Sequence, residues 1–495
     1  MTAPQPPSHG PATGRARPPS VERILAAVRP AAGDRDPEAL VAVARDVISA
    51  ERARLAAGAP PTDVPALAAE VVAVLSRFDG PGAPERIPST EILDSGPTPV
   101  INATGVIVHT NLGRAAWPRS AIEAARLAAG GATLLELDRS TGRRGSRHRA
   151  AEEHLVALTG AEAALVVTNN AAAIALAVGL AGRGGGVAVS RGELLEIGGG
   201  VRIPEILRRS GVRLVEVGTT NRTRTSDFEA ALAERRPRIR AILRVHPSNF
   251  VQSGFVEAPD FRELAELAHR HAVLVLDDLG SGALLPTERA GLAHEPMPGE
   301  RLAAGADLVT FSGDKLVGGP QAGLIVGRGD LVARLRADPL ARAMRPDKTI
   351  LAGVAATLAL YRGGRAAAEI PVWRMLTTPV SELRGRAAAL AAAIEPIEPR
   401  NAATAAGGPV RIEVADLVAT VGGGSVPGST VPSAGLAITA RRGQPPAPDL
   451  LGRLRAGAPC VIGRIERDRV LIDLRTVDPA DDGRLADALV RALAG

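Results

Sequence analysis

The pattern of hydrophobic and polar positions changes texture twice along the chain. Between residues 20 and 78 the apolar positions recur at helical spacing. Val21, Ile24, Leu25 and Val28 follow Ser20, a residue suited to cap a helix. Leu40, Val43, Val47 and Ile48 follow Asp36-Pro37, a cap and then a proline at the first helical position. A third helix is predicted over 63–78. From about residue 100, short apolar runs alternate with Ala-rich stretches. The runs at 163–168, 186–190, 213–217, 241–245, 272–278 and 306–312 read as strands. Those at 170–181, 202–210, 226–235 and 259–271 read as helices between them. This rhythm predicts an α/β fold, a mostly parallel sheet with helices on both faces. Beyond about 361 the texture becomes α+β, with helices at 380–394 and 481–493 and strands near 410–414, 434–440, 459–465 and 469–475.

The intervening stretches read as connectors. Residues 1–19 are rich in Pro, Gly and Ser and predict a disordered tail, and 79–99 predict a linker. The expected organisation is therefore a tail (1–19), a helical N-terminal domain with its linker (20–95), a large domain (96–360) and a small C-terminal domain (361–495). A length of 495 residues accommodates this number of domains.

Composition narrows the chemistry. Only 2% of the residues are aromatic, so the core must be Ala, Val, Leu and Ile, and little surface is left for stacking bases. The net charge of +6 is mild. A single cysteine, Cys460, excludes an intrachain disulfide framework or a Cys-rich zinc site, and a reducing, cytoplasmic setting is expected. No metal site is expected, because no pair of histidines has ligand spacing. No signal peptide or membrane span is expected, because no apolar run is long enough. Of 59 basic residues only Lys315 and Lys348 are lysines. Arginine keeps the charge but does not deprotonate, so it cannot serve as a nucleophilic amine. A lysine that survives in an arginine-saturated chain is a chemical candidate, with codon bias as the alternative explanation.

In a parallel sheet the residues just after each strand build the site. Thr168-Asn169-Asn170-Ala171 leads from a strand into a helix, whose N-terminus can hold phosphate or simply be capped. Asp277 and Asp278 end a buried apolar strand, where a carboxylate needs a partner. A cationic ring nitrogen would serve, and so would an arginine or a helix cap. Ser312-Gly313-Asp314-Lys315 follows the next strand and precedes a Gly-rich turn. A phosphate cradle, then an acid, then a lysine is the order found in pyridoxal 5'-phosphate (PLP) enzymes of the aminotransferase-like class, fold type I.

Longer motifs carry a closer likeness. INATGVIVHTNLGRA (101–115), VTNNAAA (167–173), SRGELLEIGGGVRIPEI (190–206), EVGTTNRT (216–223), DLGSG (278–282), FSGDKLVGGPQAGLIVG (311–327) and GGGSVPGSTVPSAGLAI (422–438) closely resemble the bacterial selenocysteine synthase (L-seryl-tRNA(Sec) selenium transferase) family. The resemblance runs from about residue 20 to the end. It implies that Lys315 carries PLP and that Asp278, in preference to Asp277, partners the pyridine nitrogen. Asn170, Ala171 and Ser312 are implied phosphate contacts, and Asn249 in HPSNF a contact of the ring oxygen. Arg114, Arg342 and Arg345 match the arginines that bind the selenium donor, selenophosphate, with Lys348 close by. The cluster Arg139, Arg143, Arg144, Arg147 and Arg149 is either functional or a basic surface loop.

The resemblance further implies PLP-dependent β-replacement on seryl-tRNA(Sec), gripped by the N-terminal domain, in a cytoplasmic homodecamer built from dimers. Ten Arg against 12 Asp and Glu over residues 1–95 leave that domain at −2, so tRNA binding would depend on placed arginines such as Arg45, Arg52 and Arg54. The alternative is a related PLP-dependent lyase acting on a free amino acid or amino sugar acid. A non-catalytic RNA-binding protein is a third reading, and Lys315 argues against it.

Overall fold

The computed structural model describes residues 17–32, 35–76, 97–197, 200–234, 238–394, 411–439 and 446–494. Most of the expected tail and most of the expected linker lie outside the described residues. The chain divides into two compact units, Met1–Pro99 and Val100–Gly495.

Among the described residues the first unit holds three α-helices, Val21–Val28, Pro37–Ala56 and Val64–Ser76. Asp36 accepts hydrogen bonds from the Glu38 and Ala39 amides, so the expected cap forms with Pro37 in the first turn. Ile24, Val28, Leu40, Ala44, Val47, Ile48, Leu67, Val71 and Leu75 make one shared core. One acid is buried beside it. Glu51 accepts from Arg54, the Thr62 amide and the Thr62 hydroxyl, and these bonds hold its carboxyl well below the usual range, at about 2.

The second unit is built on a seven-stranded sheet. Its order is Ala163–Val167, Gly323–Gly327, Leu308–Ser312, Leu274–Gly280, Ile239–Val245, Gly186–Ser190, Arg213–Val217. All pairings are parallel except those made by Gly323–Gly327. Helices bury both faces with aliphatic side chains, as the low aromatic content requires. The antiparallel strand Gly323–Gly327 is a departure from the sequence reading, which contains no strand there.

A second, five-stranded sheet runs Arg464–Glu466, Arg469–Asp473, Thr430–Thr439, Arg411–Gly422, Val106–Val108. The helices Val380–Ile394 and Asp482–Ala494 contribute to its core. Its last strand comes from the start of the unit, and Val100–Asn102 likewise pairs in parallel with Cys460–Ile462. Residues 100–108 thus belong structurally with the C-terminal sheet, although the sequence texture groups them with the large sheet. Among the described residues no helix is long and apolar enough to cross a membrane.

Glu51 gives the first unit a pH dependence. Its folded pKa lies below the unfolded value, so its stabilisation is present above about pH 4.5 and is lost as pH falls toward 2. Glu51→Gln should lower the melting temperature of residues 17–76 at pH 7, and the gap to the parent should narrow steadily from pH 5 to 2. Circular dichroism melts check this, and a gap independent of pH would contradict it.

Candidate active site

The pleat decides the fate of the two adjacent aspartates. Successive side chains on the strand Leu274–Gly280 point to opposite faces. Asp277 goes to the face carrying Phe261 and Arg301, where Arg301 Nε lies 3.3 Å from Asp277 Oδ2 and the guanidinium stacks 4.6 Å from the Phe261 ring centroid. Burial pushes the Asp277 carboxyl up to about 6, against the pull of Arg301 and Arg244. The arginine-pair explanation holds for Asp277.

Asp278 goes to the other face, where it is buried beneath the helix Asn170–Gly179. Asn170 Nδ2 donates to Asp278 Oδ1 at 2.7 Å, and the Thr310 hydroxyl on the neighbouring strand donates at 3.3 Å. Thr310 is the register partner of Asp278. Burial pushes this carboxyl up, and Asn170, Lys315 and Thr310 oppose the shift.

Lys315 follows the strand Leu308–Ser312 and is itself largely buried. Burial lowers the pKa of its amine, Asp278 opposes the shift, and Arg114 adds to it. Two glycines leave room for the side chain. A Cβ on Gly280, at φ +67°, would sit 3.6 Å from Lys315 Nζ and 3.3 Å from Ser248 Oγ. A Cβ on Gly424, at φ +81°, would sit 2.5 Å from the same amine. Gly424 lies in the hairpin loop between Arg411–Gly422 and Thr430–Thr439, so the second sheet closes the site over the first.

The remaining candidates divide. Ser312 is buried at the end of its strand, three residues before the lysine. Asn170 and Ala171 open the helix Asn170–Gly179, and Asn169 supplies its cap by accepting from the Ala172 amide. The Asn170 Nδ2 donor is engaged by Asp278, which leaves its backbone for the role expected of it at a phosphate. Asn249 is exposed, and its amide donates to the Glu196 carbonyl at 2.9 Å. Its neighbour Ser248 is the one beside Gly280 and the lysine, and nothing in the sequence reading singled it out. Lys348 donates to the Gly131 carbonyl at 2.6 Å.

The arginines are largely partnered. Arg114, at φ +65°, places its guanidinium 2.9 Å from Asp314 Oδ2, directly before the lysine. Arg342 is exposed on the short helix Pro339–Ala343. Arg345 shares Glu136 with Arg144 and Arg147, while Arg149 pairs with Asp138. The basic cluster is therefore knitted to two acids, with Arg139 and Arg143 exposed beside it. The buried His148 within it is pushed down to about 4 by burial and by Arg147, Arg336 and Arg345, and is neutral at pH 7. The Thr168 amide donates to the Met344 carbonyl at 2.9 Å, which ties the Arg342–Arg345 segment to the N-terminus of the helix Asn170–Gly179.

A family model described as L-seryl-tRNA selenium transferase matches residues 100–478. The chain belongs to this family. An L-seryl-tRNA(Sec) selenium transferase of Moorella thermoacetica is 46% identical over 398 residues, covering 80% of this chain and 82% of that one. One of Rhizobium meliloti is 42% identical over 461 residues, covering 92% and 93%. That match is too long to fit within Val100–Gly495 and reaches into the helical unit. A solved D-glucosaminate-6-phosphate ammonia-lyase shares the fold, with a TM-score of 0.55 at 21% identity, over 80% of this chain and 96% of that one.

The selenium transferase family is PLP-dependent, and the residues present fit that cofactor. A buried amine faces a buried carboxylate, the glycines keep the space around the amine open, and Asn170 Oδ1 is buried with no hydrogen-bond partner. Lys315, Asp278, Ser312 and the N-terminus of the helix Asn170–Gly179 would hold the group.

The two aspartates should separate cleanly on substitution. Asp278→Asn should weaken PLP binding at least about tenfold. Asp277→Asn should leave PLP binding within about twofold but destabilise the fold by on the order of 3 kcal/mol, because Arg301 loses its buried partner while Arg244 keeps Glu193. Cofactor titration and thermal melts of both variants check this, and equal cofactor losses would contradict it.

Proposed function

We propose that this chain converts L-seryl-tRNA(Sec) to L-selenocysteinyl-tRNA(Sec) by PLP-dependent β-replacement, with selenophosphate as the selenium donor. The observation that carries the reading is the buried Lys315 amine set against Asp278, inside a chain of this family. A free amino acid lyase on the same scaffold would need no helical unit, and the match to the relative from Rhizobium meliloti reaches into that unit.

Each residue then has a role. Bound at Lys315, PLP supplies an electron sink for bonds broken at the seryl Cα. Asp278, held by Asn170 and Thr310, keeps a proton on the pyridine nitrogen. The Lys315 amine, its pKa lowered by burial, would take the seryl Cα proton when it is free of the cofactor. The seryl β-hydroxyl would leave as water, selenium would bond to the β-carbon, and water would cleave the Se–P bond to release phosphate. Arg114, Arg342 and Arg345 grip the selenophosphate, since guanidinium groups bind phosphate in a bidentate manner and stay charged. Ser312, with the backbone of Asn170 and Ala171, takes the cofactor phosphate at the helix N-terminus.

The helical unit grips the tRNA. Arg45 and Arg52 are exposed on the helix Pro37–Ala56, whereas Arg54 is held by Glu51, the Pro60 carbonyl and Thr62, so the first two are the better contacts. The working assembly is a cytoplasmic homodecamer built from dimers.

The test is turnover of seryl-tRNA(Sec) with selenophosphate by the purified chain, with Lys315→Arg as the inactive control. The parent should form selenocysteinyl-tRNA(Sec), and the variant should lose at least about 1000-fold, because arginine cannot act as the amine nucleophile or base. Deamination of free amino acids without transfer to seryl-tRNA(Sec) would overturn the reading in favour of the lyase.

A further inference from the structure

The chain contains one tyrosine and two tryptophans, and the tyrosine and one tryptophan meet behind the lysine. Tyr361 Oη lies 3.0 Å from the Leu316 carbonyl and 2.9 Å from the Val317 carbonyl, and its single proton is shared between them. Trp373 Nε1 donates to the Leu316 carbonyl at 2.9 Å and to Tyr361 Oη at 2.6 Å. Trp373 is 1% exposed and Tyr361 7%. Leu316 and Val317 are the two residues directly after Lys315, and both are buried.

Three features set this apart from ordinary core packing. Apart from Phe228, Phe261 and Phe311, aliphatic residues fill the rest of this core, and none of these carries a hydrogen-bonding group, so packing alone does not call for the two polar aromatic groups here. The two donors serve consecutive carbonyls that no strand or helix ladder satisfies. The phenol comes from the helix Lys348–Arg362 and the indole from Pro371–Thr377, so two separate elements converge on the lysine loop. Gly318, which follows at φ +71°, would place a Cβ 2.3 Å from Ile370 Cγ2, so the loop is also pressed against the segment between those helices.

We infer that Tyr361 and Trp373 are positioning residues, a two-donor clamp that fixes the backbone after Lys315 and so aims its amine between Asp278, Gly280 and Gly424. The inference rests on the reading of Lys315 as the cofactor lysine. Without the phenol hydroxyl, the Val317 carbonyl loses the only donor this clamp gives it, and the loop gains freedom to turn toward water. The amine then samples positions farther from Asp278 and better hydrated. The clamp touches neither substrate nor cofactor and acts only through the lysine.

The experiment uses the full-length PLP-loaded protein and compares Tyr361→Phe, Trp373→Phe and Leu358→Ala with the parent. Leu358 is fully buried on the same helix as Tyr361, so its truncation reports a purely structural loss. The readout is the pH midpoint of the absorbance of the lysine-bound cofactor, followed alongside the melting temperature and the separation of kcat from KM. Tyr361→Phe should move the midpoint by about 0.5 pH unit or more and lower kcat roughly tenfold, with KM within about twofold. Trp373→Phe should shift it in the same direction by less. Leu358→Ala should lower the melting temperature and leave the midpoint in place.

An unshifted midpoint in Tyr361→Phe, or an equal shift in Leu358→Ala, would overturn the clamp while leaving Lys315 as the cofactor lysine. A parent protein with no lysine-bound cofactor absorbance would overturn the underlying reading, and the clamp with it.

Discussion

A carboxylate and an amine are held out of water at the end of one sheet, and the architecture of the second unit follows from keeping them there. Burying either charge alone costs several kcal/mol, roughly, and burial pushes each of them toward its neutral form. The fold offsets this cost by supplying partners. Asn170 reaches Asp278 from the start of a helix that follows the edge strand Ala163–Val167, and Thr310 reaches it from the adjacent strand. The pleat sends Asp277 to the opposite face, where arginines take it, so the second carboxylate does not compete for the amine.

The same constraint explains why the two sheets form one unit. The strand Val106–Val108 belongs to the second sheet, and the chain then runs directly into the segment that carries Arg114 to Asp314. From the far end of the sequence, the hairpin loop around Gly424 closes on Lys315. The site is therefore complete only when residues from about 106, 170, 278, 315 and 424 have come together. Arginine saturation is offset in the basic cluster, where Glu136 and Asp138 bind Arg144, Arg147, Arg149 and Arg345. The arginine that acts on the Lys315 amine is Arg114, itself paired with Asp314.

Much of this was legible in the sequence wherever a local rule was strong. The strands Gly186–Ser190 and Arg213–Val217 and the helix Val380–Ile394 fall on the expected residues, because their apolar runs are bounded by clear breaks. Lys315 stood out through the near absence of other lysines. The strand Gly323–Gly327 was hidden because an apolar run of three between glycines looks like the continuation of a Gly-rich loop. The pairing of Asn170 with Asp278 depends on strand order, with two strands lying between theirs, and periodicity carries no trace of that. Ser248 against Asn249 is a question of one residue's phase in a loop, where neither the helical nor the strand period applies. The separation of Asp277 from Asp278 by the pleat was in principle readable, but which face holds the site was not.

The most direct test of the account is to find which amine holds the cofactor. Borohydride reduction of the PLP-loaded protein, followed by proteolysis and mass spectrometry, fixes the group at its point of attachment. The account predicts a single modified peptide containing Lys315, with Lys348 unmodified and hydrogen-bonded to the Gly131 carbonyl. Attachment at Lys348, or a protein that takes up PLP with no modified lysine, would contradict it.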